Sequence, residues 1–182
     1  MKDLSLNLLD IAENSVKAGA TLTQLLLTQE AGILTLQVVD DGCGMTEEVL
    51  RGVVDPFYTT RTTRKVGMGL PLLRMAAEQT GGTMTVESRH KDAYPDNHGT
   101  VVTAVFHTDH IDCPPVGDMT ATVTTLIQGH PDTDFYFRHV CDGTEVELDT
   151  RALRQILGEV SLAEFEVLQW ITGYLTDQYN GQ

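Results

Sequence analysis

Helix-like and strand-like stretches alternate along this sequence in the manner of a mixed α+β protein. Three observations point that way. A helical apolar pattern with a narrow polar stripe opens the chain, paired strand-like runs flank short turns, and glycines punctuate the joins. Composition agrees, because 41% apolar and 21% charged residues in 182 suit a folded globule with a real core.

The spacing predicts a first helix over 3–18, with Asp3 as N-cap and Gly19 as its stop. Asp3, Asn7, Asp10, Asn14 and Lys17 fall on one stripe, and leucines, Ile11 and Val16 take much of the remaining circumference. The stripe alone fits a solvent-facing helix as well as the floor of a cleft. Strands follow at 21–29 and 33–39 around a Glu30-Ala31-Gly32 turn. Asp40-Asp41-Gly42-Cys43-Gly44-Met45 then leads into a short helical stretch from Thr46. Residues 55–66 lack apolar periodicity and read as a loop, which runs into Gly67-Met68-Gly69-Leu70-Pro71 at the start of a helix ending near Thr80. Pro71 suits a first helical turn, which needs no intrahelical N–H. Strands at 83–88 and 100–107 bracket the polar loop 89–99. Cys113-Pro114-Pro115-Val116-Gly117 marks a boundary, so the expected organisation is a domain over 1–108 and a small α+β extension over 109–182. In the extension, strands are predicted at 119–128, 134–141 and 144–148, with a short helix from Thr150 to Gly158. A capping box, Ser161-Leu162-Ala163-Glu164, is expected to start a last helix carrying Phe165, Leu168, Ile171 and Leu175 at helical spacing.

Charge narrows the function classes. Twenty-six acids against twelve bases give a net charge of −14, unfavourable for a nucleic-acid coat or for an anionic membrane surface. Residues 1–108 hold 13 acids and 9 bases, and 109–182 hold 13 acids and 3 bases, so an anionic ligand belongs with the first part. Three cysteines without a C-x-x-C pair, and no apolar run of membrane-spanning length, lead to the expectation of a cytoplasmic protein. His107, His110 and Cys113, with His139 and Cys141, lack the paired spacing of a zinc site.

Four features carry chemistry. Asp10, Asn14 and Lys17 put a carboxylate, an amide oxygen and an ammonium on one helical face, suited to a base, a hard metal and a phosphate. Asp40 ends a strand, where its carboxylate can accept from an exocyclic amine, and Gly42 and Gly44 permit a sharp turn beside a flat ring; the same residues also fit an ordinary turn with incidental acids. Gly67-Met68-Gly69-Leu70 at a helix start offers free N–H groups to an anion. Arg61, Arg64 and Lys65 put basic residues just before it, in a chain that is otherwise acidic.

In that order, Asp10-Ile11-Ala12-Glu13-Asn14, Asp40-x-Gly42-x-Gly44, Pro56-Phe57 and Gly67-x-Gly69-Leu70 resemble the boxes of the GHKL ATP-binding superfamily, which comprises gyrase, Hsp chaperones, histidine kinases and MutL. The run from Asp55 to Thr60, then Thr80-Gly81-Gly82 with its strand, then Gly99-Thr100, is most similar to histidine-kinase catalytic domains. The resemblance covers about residues 3–107 and implies a two-layer α/β sandwich of the Bergerat type, with ATP between the first helix and a lid. It implies Asn14 as the Mg²⁺ ligand, Lys17, Gly67, Met68, Gly69 and Leu70 at the phosphates, Asp40 with Gly42 and Gly44 at adenine, and Thr100 fixing adenine through water. Arg61, Arg64 and Lys65 become lid cations. Asp10 stands where gyrase-like ATPases and anti-sigma-factor serine kinases place a glutamate base, and it is one methylene shorter. Pro71 replaces the third glycine of the usual G-x-G-L-G. No histidine lies in a His-acid motif on a long helix, so the expected phospho-acceptor or partner is a separate protein. The resemblance thus implies a regulatory ATP·Mg²⁺-binding protein with kinase-like or ATPase potential; the alternative is a non-catalytic nucleotide switch or interaction module that signals to a protein partner through 109–182, and a homodimer is compatible with either.

Overall fold

The computed structural model describes residues 3–54 and 68–181. In chain order the described elements are α1 (Leu4–Lys17), β1 (Leu22–Glu30), β2 (Ile33–Asp40), α2 (Glu47–Val54), α3 (Gly69–Gln79), β3 (Thr83–Arg89), β4 (Gly99–His107), α4 (Met119–Gly129), β5 (Asp134–Cys141), β6 (Thr144–Asp149), α5 (Thr150–Leu157) and α6 (Phe165–Asn180). The strands form one mixed sheet ordered β3-β4-β2-β1-β5-β6, in which only β1 and β5 run parallel.

Period-2 alternation divides the sheet into two faces. Leu25 and Leu27, Leu34, Leu36 and Val38, Ala104 and Phe106, Phe135 and Phe137, and Val146 and Leu148 are buried on one face, beneath α1, α3, α4 and α6. Residues between them, such as Gln37, Thr103, Arg138 and Glu147, stay at least partly exposed. The result is the two-layer α+β sandwich expected from the sequence.

Local chemistry explains the element ends. Asp3 caps α1, its carboxylate accepting from the Leu6 amide at 3.0 Å, and Lys17 lies in the last turn, where a cation suits the helix dipole. The hairpin between β1 and β2 turns on Ala31 and Gly32, both with positive φ, as a two-residue turn matched to strand twist requires. α3 ends with the Gly81 and Gly82 amides bonding back to the carbonyls of Glu78 and Ala77 at 2.9 Å each, the paired pattern of a Schellman stop.

Two predicted elements differ. Residues 119–128 form helix α4 rather than a strand. The run is rich in threonine and valine, which favours strands when read locally. Met119, Thr122, Val123, Leu126 and Ile127 nevertheless recur at helical spacing and are all buried, and Asp118 caps the helix by accepting from the Ala121 amide at 2.9 Å. Tertiary burial outweighs the modest β preference. The last helix begins at Phe165, not at Ser161. Ser161 caps a separate turn, accepting from the Ala163 amide at 3.1 Å, and that turn sinks Leu162 into the core before the helix starts.

Residues 109–182 are knitted into the same layers as 3–108. β5 pairs with β1 from Leu22↔Asp134 to Gln29↔Cys141. The amides of Leu4 and Ser5 donate to the carbonyls of Pro115 and Val116 at 2.9 Å each, and the Thr122 hydroxyl donates to the Ser5 carbonyl at 3.3 Å. Glu13 on α1 lies 2.9 Å from His130 at the end of α4. Among the described residues no helix is long and apolar enough to cross a membrane.

His139 on β5 is buried with its Nδ1 2.8 Å from the Tyr179 hydroxyl, and its Nε2 has no partner among the described residues. Burial pushes the imidazole below its ordinary value and the Tyr179 hydroxyl well above its own. A folded state that holds His139 neutral is favoured above the unfolded value of about 6.5 and loses that advantage as pH falls through the lowered folded value. Thermal melts from pH 7.5 down to 5.5 are therefore expected to show a stability loss that is smaller in His139→Gln, whose amide can still accept from Tyr179. Leu25, fully buried on the central strand β1, is expected to cost about 2–5 kcal/mol as Leu25→Ala in denaturant unfolding. A chain cut after residue 108 uncovers the β1 edge and the α4-facing side of α1. It is expected to melt below the full chain and to self-associate on sizing columns.

Candidate functional site

The site assembles where the C-terminal half of α1 meets the end of β2. Asp40 is the last residue of β2 and, by alternation, lies on the helix-covered face two residues beyond Val38. Its Oδ2 accepts from the Ser15 hydroxyl of α1 at 2.7 Å, and its Oδ1 accepts from the Gly42 amide at 2.9 Å. Both oxygens are thus oriented, while each keeps a lone pair for a further donor. Hydrogen bonds to a carboxylate are charge-assisted and contribute about 1.5–3 kcal/mol each, enough to fix the rotamer.

A polar row continues across the sheet. Thr100 on β4 is the register partner of Asp40, and Ser88 on β3 is the partner of Thr100. The Ser88 and Thr100 hydroxyls lie 2.8 Å apart, and Ser88 Oγ also accepts from the Met45 amide at 2.8 Å. On a face filled mainly by apolar side chains, Ser88, Thr100 and Asp40 form a hydrogen-bonding edge. They line a cleft of about 600 Å³ together with Leu50, Val86 and His98.

The turn after β2 is packed too tightly for side chains. Gly44 has φ +69°, and a Cβ there would sit 1.9 Å from the Arg89 carbonyl oxygen. A Cβ on Gly42 would lie 2.9 Å from the Ala18 Cβ. The space is closed by a 2.8 Å bond from the Cys43 amide to the Ala18 carbonyl and by His98, whose Nδ1 is 2.5 Å from the Gly42 carbonyl and so carries the proton. Asp41 points the other way and clamps β1. Burial raises its pKa, but bonds from the Leu22 amide and from the Thr21 hydroxyl and amide outweigh that and hold it below the usual carboxylate range.

The stripe on α1 supplies the other end. Asp10 is exposed and meets the start of α3, where a Cβ on Gly69 would lie 3.3 Å from the Asp10 Cβ and 4.0 Å from its Oδ2. Asn14, one turn on, is half-buried, and its side-chain amide has no partner among the described residues; Lys17 is exposed in the last turn. Met68 is exposed at the N-cap of α3 without a side-chain cap bond, so the first amides of that helix are not met by a cap side chain. Leu70 is buried in the core, which leaves only its backbone to face a ligand. Arg61, Arg64, Lys65 and Gly67, with Pro56 and Phe57, lie outside the described residues.

The structure therefore places Asp40 and Thr100 in the lining of one cleft, Gly42 and Gly44 in the turn that follows Asp40, and Asp10 beside Gly69 at α3, with Asn14 one turn beyond Asp10 on α1. Ser15, Ser88 and His98 join the site without having been singled out from sequence. Ser15 carried a signal, since a serine inside a helix is a modest helix former that often bonds elsewhere. Ser88 carried another, as a polar residue on the same face as Met84 and Val86.

Residues 2–110 match the family described as histidine kinase-, DNA gyrase B-, and HSP90-like ATPase. The chain is 31% identical over 88 residues to the sensor histidine kinase ZraS of Klebsiella oxytoca, covering 48% of this chain and 19% of that protein. It is 32% identical over 99 residues to the sensor histidine kinase YvrG of Bacillus subtilis (strain 168), covering 51% and 16%. The matched part is thus less than a fifth of either kinase. In structure it is similar to the Aquifex aeolicus MutL ATPase domain complexed with ADP, with a TM-score of 0.55 and 14% identity over 85% of this chain and 67% of that one. With the polar row on the sheet, the tight turn after Asp40 and the α1 stripe at the start of α3, the chain belongs to the histidine kinase-, DNA gyrase B- and HSP90-like ATPase family.

Proposed function

We propose that the protein binds ATP with Mg²⁺ in this cleft and uses the bound nucleotide for phosphoryl transfer to a separate protein in the cytoplasm. The observation that carries the reading is the doubly anchored Asp40 carboxylate facing Thr100 at the mouth of the cleft. Its remaining lone pairs suit the exocyclic amine of adenine, and the close-packed glycine turn holds the carboxylate in place through the Gly42 amide. The start of α3 suits phosphates because no cap side chain meets its first amides. Lys17 and the sequence-predicted basic residues Arg61, Arg64 and Lys65 would add positive charge.

The donor set also fits a hard metal. Asn14 offers a half-buried amide oxygen with no partner among the described residues, and hard cations take one or two protein oxygens together with water and phosphate. When bound, Mg²⁺ supplies neutralisation of phosphate charge. Asp10 then has the role of base. As a hydroxyl oxygen of the acceptor bonds to the γ-phosphorus, the bond to the bridging oxygen breaks, ADP departs, and the hydroxyl proton passes to the Asp10 carboxylate.

One observation favours a second reading, a nucleotide-dependent switch. The helix that carries Asp10, Asn14 and Ser15 is also held by residues 109–182, through the Pro115 and Val116 carbonyls and the Glu13–His130 contact. A ligand that shifts α1 would be felt there, making 1–108 the nucleotide-binding part and 109–182 the partner-facing part.

Calorimetry with ATP and Mg²⁺ is expected to show saturable binding that Asp40→Asn weakens roughly 10- to 100-fold, the worth of a charge-assisted hydrogen bond. Equal binding by the two proteins would remove Asp40 from adenine recognition. Asp10→Asn is expected to keep affinity within about twofold and to slow transfer of labelled phosphate by roughly 10²–10⁴. Unchanged turnover would take the role of base away from Asp10 and leave the switch as the better reading.

A further inference from the structure

The segment from Ile156 to Tyr174 presents apolar side chains that nothing in the nucleotide cleft uses. Ile156 is 82% exposed, Phe165 75% and Trp170 52%, on α5, at the start of α6 and along α6 respectively. Trp170 stacks on Tyr174 with ring centroids 4.9 Å apart. A hollow of about 350 Å³ lies between α5 and α6, lined by Leu153, Leu157 and Val167, and another of about 630 Å³ lies over the segment that connects them, beside Val160 and Phe165. Both have Glu166 and Val167 in their lining, so the two hollows adjoin at the start of α6. Large apolar side chains left at this exposure around two adjoining hollows signal an interaction surface rather than scattered surface hydrophobes.

The rim identifies the partner. Glu159, Glu164 and Glu166 border the groove, all exposed, and none pairs with a cation among the described residues. From residue 155 to 182 the sequence contains no lysine or arginine. The nearest arginines are already engaged, Arg154 with Asp134 at 2.7 Å and Arg151 with Asp149 at 2.9 Å. A second copy seated by two-fold symmetry would bring this carboxylate rim against itself, which like-charge repulsion opposes. A groove between helices with an apolar floor and an anionic edge is complementary to an amphipathic helix bearing leucine-like anchors and flanking lysine or arginine.

We infer that the α5–α6 groove docks a basic amphipathic helix of a partner protein, with Ile156, Phe165 and Trp170 meeting its apolar face and Glu159, Glu164 and Glu166 its cations. This rests on the reading of 109–182 as the partner-facing part and does not depend on nucleotide binding.

Trp170 is the single tryptophan of the chain, so its fluorescence reports the groove directly. The full chain, without nucleotide, is titrated with a synthetic helical peptide of leucine and lysine at amphipathic spacing, and with a control in which glutamate replaces lysine. The expected result is a saturable blue shift with the lysine peptide alone, weakened by raising salt from about 50 to about 500 mM. Phe165→Glu and Ile156→Glu are each expected to weaken binding by about tenfold or more, as loss of a central anchor does. Both variants add negative charge, so a purely electrostatic attraction would strengthen instead. Because both side chains are largely exposed, circular dichroism and melting temperature are expected to stay at wild-type values. Three results would overturn the inference: no shift, equal response to the glutamate peptide, or binding that Phe165→Glu leaves intact. A stable dimer by sedimentation that Phe165→Glu dissociates would also overturn it and assign the groove to a second copy. Calorimetry with ATP on the same preparations separates its failure from failure of the nucleotide reading.

Discussion

The hydrogen bond from Ser15 to Asp40 joins the two layers of the sandwich at the point where a ligand would read them together. Asp40 belongs to the sheet and Ser15 to the helix above it, so the carboxylate can be oriented only if α1 sits at the correct height and rotation over β2. Most of the neighbouring geometry follows from that requirement. The Cys43 amide ties the turn to the end of α1, Gly42 and Gly44 make the close approach sterically open, and His98 closes the outer side through the Gly42 carbonyl. Removing any of these would loosen a carboxylate whose usefulness depends on where its lone pairs point.

α1 consequently serves two neighbours. Its apolar side packs on the sheet, Ser15 meets Asp40 and Asp10 meets the start of α3, and its first turn and Glu13 engage the 115–130 region. A helix held on both sides is placed to carry a displacement from one neighbour to the other. If the proposed nucleotide and partner bind as inferred, α1 is the element through which the two would communicate without touching.

Much of the fold was legible in the sequence because local signals and tertiary demands coincide. Asp3, the Ala31-Gly32 turn and the Gly81-Gly82 stop each act over a few residues, and each ends its element where its chemistry says it should. α4 was misread because its Thr- and Val-rich composition and its helical burial pattern disagree, and burial against α1 and α6 decides. The candidate site was legible where spacing alone carries meaning, as in Asp10, Asn14 and Asp40 with its glycines. Ser15 and Ser88 were not, because their significance lies in partners 25 and 43 residues away in sequence.

The parallel pairing of β1 with β5 joins residues more than a hundred positions apart. Neighbouring strands in most of the sheet can zip by hairpins, but this seam needs closure of a very long loop before any of its contacts form. On a ribosome, β1 must therefore wait with one edge bare until β5 has been synthesised and released from the exit tunnel. The strands that carry the candidate site and the acidic extension thus mature together. The acidic charge near the end of the chain accompanies the strand that finally covers that edge.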